Sequence, residues 1–303
     1  MPSTKIFKTL LLREWMQHRF GWSLMVLVPF GLGVLAVLAG KIELDGDDTM
    51  PPPEALAVIA VMGLAGITLV LGWMAALFQA PGLARRDEQD RSIEFWLSLP
   101  TSHHQSLGAT LLAHLVLWPC AALVCGVLGG LVLSLPLVTR MYGIGDWFAL
   151  PWPMLLGVTV ATTLRLLLGV ALATVWLSPL LLLVMAASVW LKRWALPTVV
   201  ASIAALGLVL DKAYNNPVVW NVLQFLGDNA GRALIASRRA EAESFTIGHR
   251  GAEVDVVLSA LPGFLVNDAG HALANLAQPG MLGVLLVAAA GYGVLWFHRQ
   301  RGT

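Results

Sequence analysis

The sequence predicts an all-α polytopic membrane protein of six transmembrane helices, and three observations predict it. Hydrophobic residues make up 57% of the 303-residue chain and charged residues 12%, where soluble domains carry about a quarter charged residues. Six long apolar stretches run through it, and none contains an aspartate or glutamate. Of its 12 tryptophans, Trp22, Trp73, Trp147, Trp152, Trp194 and Trp296 fall near ends of apolar runs, where an indole ring suits headgroup depth. Such a chain is solvated by lipid. Its length suits a single transmembrane domain, residues 1–303, rather than a membrane domain plus a large soluble enzyme.

The hydrocarbon core needs about 20 apolar residues of helix. Trp22–Gly40 supplies span one, reading as a retained anchor rather than a cleaved leader. Ala55–Phe78 is span two, and Leu107–Leu135 is a long third span that must tilt or project. Met154–Leu191 exceeds one crossing; its membrane part lies near Ala171–Leu191, with Pro179 as a kink and Arg165 at the outer interface. Ala195–Leu210 and Met281–Phe297 are spans five and six.

Basic residues orient the bundle through the positive-inside bias. Lys5, Lys8, Arg13 and Arg19 precede span one; Arg85, Arg86 and Arg91 follow span two. Lys192 and Arg193 separate spans four and five, and Arg299 and Arg301 follow span six. These alternate segments hold eleven of the nineteen Lys and Arg residues. The opposite short loops carry only Lys41 and Arg140, and Glu43, Asp45, Asp47, Asp48 and Glu54 make the first acidic. Both termini are therefore expected in the cytoplasm. Residues 211–279 form an extracytoplasmic loop, whose apolar pieces Val218–Leu226 and Val254–Leu276 read as short interfacial or re-entrant helices. An eight-span protein is the alternative.

Two cytoplasmic segments carry the most information. Within residues 1–21, Ile6, Phe7, Leu10, Leu11 and Trp15 recur at helical spacing, with Lys5, Lys8, Arg13, Glu14 and Arg19 covering much of the rest. That is an amphipathic helix for the membrane surface, whether a plain anchor or an active part. In residues 80–106, a dense mixed-charge turn (Arg85, Arg86, Asp87, Glu88, Asp90, Arg91) leads into Ser92, Ile93, Glu94, Phe95, Trp96 and Leu97, ended by Pro100. Aromatic anchors ringed by charge suit a protein-contact surface; an interfacial helix dipping Phe95 and Trp96 into lipid fits the residues equally well.

The string Arg-Asp-Glu…Asp-Arg-Ser-Ile-Glu-Phe-Trp-Leu-Ser-Leu-Pro-Thr-Ser at 86–102 resembles the loop between spans two and three of ABC type-2 exporter permeases. The Arg13-Glu14 pair is similar to that family's cytoplasmic interface helix, and Trp176-Leu177-Ser178-Pro179…Ser188-Val189-Trp190-Leu191-Lys192-Arg193 resembles a fourth-span pattern in some members. The charged Arg232–Asp255 stretch makes the outer loop longer than a minimal member needs. The resemblance implies an export permease in the cell (inner) membrane whose 85–97 helix docks into a partner ATPase. It also implies two cytoplasmic ABC ATPase subunits carrying ATP and Mg, and a second permease copy or related permease. The lipid bilayer is the other partner; no nucleic acid is expected.

The absences agree. No Gly-x-x-x-x-Gly-Lys-Ser/Thr occurs; Gly40-Lys41 is followed by Ile42, so no P-loop cradles ATP here and no enzyme activity or bound cofactor is expected of this chain. Ion-coupled carriers need ionisable groups at membrane depth, and the spans offer only His114, read as a packing residue, and interfacial Arg165. Gly143-Ile144-Gly145-Asp146 matches the Gly-x-Gly-Asp of intramembrane aspartyl proteases, but that chemistry needs a second bundle aspartate. No His-Glu-x-x-His is present, and Cys120 and Cys125, about 140° apart around a helix, predict no metal or disulfide pair. Asn267, Asp268 and His271 read as polar capping of an outer helix, and His103 and His104 as capping at the entrance to span three. The competing class is a membrane scaffold, sensor or assembly component without ATP coupling. An uncoupled channel lacks a polar ring.

Overall fold

A computed structural model describes residues 3–40, 51–83, 103–237 and 254–301. Every regular element among them is helical. Six stretches are long and apolar enough to cross a membrane: Lys5–Ala39, Pro53–Leu83, His104–Met141, Trp152–Tyr214, Val254–Ala277 and Gly280–His298. The chain is an all-α, multi-pass membrane protein.

Helix α1 spans Ser3–Ala39, about 55 Å at 1.5 Å per residue. The amphipathic segment and span one are thus a single helix, with no break near residue 21 to lay the first part in the membrane plane. Leu24, Leu27, Leu32, Leu35 and Leu38 are exposed, the face a lipid-bathed helix presents. Helix α2 (Pro53–Leu83) packs most extensively on α4 (Trp118–Met141). Gly126 and Gly130 explain the closeness: a Cβ on Gly130 would stand 2.5 Å from the Cα of Val61, and one on Gly126 2.8 Å from the Cα of Ala65. Small residues four apart let two backbones approach without a side chain between them.

Span three is α3 (His103–Leu112), a π-helical turn at Ala113–Leu117, and α4. Its irregularity follows from Pro119. That residue has no N–H to offer the Leu115 carbonyl four positions back, while the Trp118 N–H reaches the Ala113 carbonyl five back. The orphaned Leu115 carbonyl accepts the Thr174 hydroxyl at 3.0 Å instead. The same device recurs at Pro179, where Ser178 donates to the Val175 carbonyl at 2.7 Å.

After Gly143 (φ 113°), short α5 (Ile144–Ala149) leads to α6 (Trp152–Leu191). At 40 residues α6 is about 60 Å long, twice the ~30 Å hydrocarbon thickness. Three apolar clusters stack along it. One end holds Leu155 and Val158 with Leu56, Val138 and Leu258; the middle holds Leu172, Ala173 and Trp176 with Leu226, Ala230 and Met281; the other end holds Leu182 and Met185 with Ala80, Leu107 and Leu295. A 3-10 turn at Lys192–Trp194 joins α6 to α7 (Ala195–Tyr214), with Lys192 at φ 55°.

Helix α8 (Val218–Leu234) runs eight residues past the apolar piece seen in the sequence, and α9 (Val254–Ala274) is one continuous helix through Pro262 and Gly263. Buried asparagines at the ends of the two helices pair with each other. The Asn275 side chain donates to Asn229 at 2.8 Å, and Asn229 to the Phe225 carbonyl at 2.7 Å. Helix α10 (Gly280–Arg301) closes the bundle against α6.

Candidate functional site at the base of spans one and three

Along α1, Leu10, Glu14, His18 and Trp22 recur every fourth residue and share one face. Leu10, Glu14 and Trp22 are buried and His18 is half-buried. This seam faces α3 and the π-helical turn, so Glu14 enters the interior rather than joining the polar surface the sequence suggests. A buried carboxylate is costly unless paired and hydrogen-bonded. Glu14 is both: Arg13 Nη2 donates to its Oε1 at 2.8 Å, Thr110 donates to the same oxygen at 3.0 Å, and His114 Nε2 lies 3.3 Å from Oε2.

Aromatic rings wall the group. His18 and His114 meet edge-on with centroids 4.5 Å apart, and Trp22 stacks on Trp118 at 4.7 Å, 9° from parallel. His18 Nδ1 lies 3.1 Å from the Glu14 carbonyl. The ligand-capable atoms of Glu14, His18 and His114 all lie within 4.8 Å of one another. His114 is fully buried, and its Nδ1 has no hydrogen-bond partner among the described residues.

Of the residues read from the sequence on this segment, Leu10, Arg13 and Glu14 enter the site. Ile6, Phe7 and Leu11 are half-buried beside it, and Trp15 is 47% exposed. The expected docking residues Arg85, Arg86, Asp87, Glu88, Asp90, Arg91, Ser92, Ile93, Glu94, Phe95, Trp96 and Leu97 lie outside the described residues. The sequence reading did not single out His18 or Thr110. Glu14-x-x-x-His18-x-x-x-Trp22 was the signal, a four-residue repeat continuing the Leu10 face.

A second buried polar centre sits farther up α6. Arg165 Nε donates to Asp268 Oδ2 at 2.7 Å, Nη2 stands 2.6 Å from the same oxygen, and Nη1 donates to the Ala233 carbonyl at 2.8 Å. The Ser237 N–H and hydroxyl both donate to Asp268 Oδ1. Both side chains are 2% exposed. Asp268 thus joins α9 to α6 and the end of α8 instead of capping a surface helix, and Arg165 is buried in protein. A recess of about 920 Å³ lined by Asp228, Arg232, Ser237, His271, Asn275 and Gln278 opens beside the pair. An apolar groove lined by Leu156, Val160, Leu164, Leu168, Leu265 and Val266 also includes Arg165.

Comparison with protein-family descriptions, with curated proteins and with solved structures finds no match.

Proposed function

We propose that the chain is the membrane-spanning permease subunit of an ATP-driven exporter in the cell (inner) membrane. It works with two cytoplasmic ATPase subunits and a second permease copy or a related permease. One observation carries the reading: the charged, aromatic Arg85–Ser102 string stands between α2 and α3. ATP and Mg belong to the partner. Closure of the ATPase pair pushes on Ser92–Leu97, and because α3 begins at His103, that push enters span three at its base. Glu14 is bonded to Thr110 and is in contact with His114, so α1 is tied to the helix that receives the push. The Gly126 and Gly130 contacts hold α4 and α2 together, so those helices shift as a pair. A polar recess that includes Ser237 and an apolar groove that includes Arg165 suit an amphipathic cargo, with a polar head and an apolar tail.

The test is affinity purification of the chain from its own membranes, identification of any P-loop ATPase it retains, and measurement of stimulated hydrolysis. Replacing Phe95→Ala together with Trp96→Ala is expected to abolish the stimulation while the protein stays folded in membranes. Full stimulation by the double variant would refute docking at this segment. Failure to retain any P-loop ATPase would favour the scaffold or sensor reading.

A further inference from the structure

We propose that Glu14, His18 and His114 bind a divalent transition-metal ion of the zinc class, clamping α1 to the base of span three. Two imidazoles and one carboxylate, with a fourth position left to water, make a donor set zinc accepts. The three ligand-capable atoms lie within 4.8 Å of one another, and ligands around tetrahedral zinc stand about 3.3 Å apart for bonds near 2.0 Å. Closing the difference takes a side-chain rotation at the half-buried His18.

The surroundings are built as metal sites are built. Ligating carboxylates and histidines are held by further hydrogen bonds. Here Arg13 and Thr110 hold Oε1 of Glu14, while Oε2 is turned to His114. His18 Nδ1 is held against the Glu14 carbonyl. His114 Nε2 is the ring nitrogen that faces Glu14 Oε2, and their 3.3 Å separation matches the edge between two ligands of a tetrahedral zinc ion. His114 itself lies in the π-helical turn at Ala113–Leu117, a distortion that concentrates at functional sites. Among the described residues, Arg13 is a charge that opposes the ion, since it shares the same carboxylate.

The experiment uses the full chain purified in detergent, without ATPase or nucleotide, so its outcome is independent of the exporter reading. Metal-free protein is titrated with Co²⁺ alone and then with Zn²⁺, reading visible d–d absorption and metal content per chain. One equivalent is expected, with the spectrum of a four-coordinate site and displacement by Zn²⁺. His18→Ala and Glu14→Gln are expected to weaken binding at least tenfold, whereas Arg13→Gln, which removes the opposing charge, tightens it. Gel filtration and near-ultraviolet tryptophan signals check that each variant is folded, and His18→Ala serves as the mildest. Retention of less than a tenth of an equivalent by the wild type would overturn the proposal, as would stoichiometric binding that His18→Ala and Glu14→Gln leave unchanged.

Discussion

Asp268→Ala is the most informative single change where α6, α8 and α9 meet. It removes the acceptor for Arg165 Nε and for both Ser237 donors, and strands a guanidinium 2% exposed. Breaking a buried ion pair from one side costs about 3–5 kcal/mol, because the surviving charge stays desolvated. Burying a charge in protein bounded by lipid offers no cheaper refuge. The expected loss is therefore about 3–5 kcal/mol. The double replacement Arg165→Met with Asp268→Leu removes both charges and restores apolar packing, so it is expected to cost less than either single change. Equilibrium unfolding by SDS in mixed micelles, run as a double-mutant cycle, measures both. Should Asp268→Ala cost under about 1 kcal/mol with no coupling to Arg165, the pair is solvated and the joining of α6, α8 and α9 through it is wrong.

The glycine contact and the proline compensation give further tests. Gly130→Ala puts a Cβ 2.5 Å from the Cα of Val61, so α2 and α4 must part at a cost of about 1–3 kcal/mol. Gly66→Ala, with nothing within 4 Å of its Cβ, should be neutral or stabilising by up to about 1 kcal/mol; the same unfolding assay compares them. Thr174→Val leaves the buried Leu115 carbonyl without a donor and should cost about 1–3 kcal/mol. In the Pro119→Ala background the helix regains its own N–H, so the penalty should shrink.

Most of the helices are legible in the sequence because lipid demands long apolar runs with internally satisfied backbones. Helix α9 is the exception. Asp255, Asn267, Asp268 and His271 interrupt its hydropathy, and the partner that neutralises Asp268 is Arg165, 103 residues away. No local pattern reveals such a pairing. The Glu14 site was half-legible for a similar reason. The charges of the first helix suggest a solvated polar face, yet the spacing Leu10, Glu14, His18, Trp22 already marked a single stripe. Only the approach of Thr110 and His114 from another helix makes that stripe an interior. The π-helical turn was hidden too, although Pro119 supplies its cause.

The length of α6 has a mechanical consequence. Its base, marked by Lys192–Trp194, shares a cluster with the ends of α2 and α10, and its far end shares another with the ends of α2 and α4. A rod of 40 residues tilted by about 5° moves its tip by about 5 Å, close to one full helical turn of rise. Displacing the end at Lys192–Trp194 therefore moves the opposite end by about the same distance, with no need to bend any helix along the way.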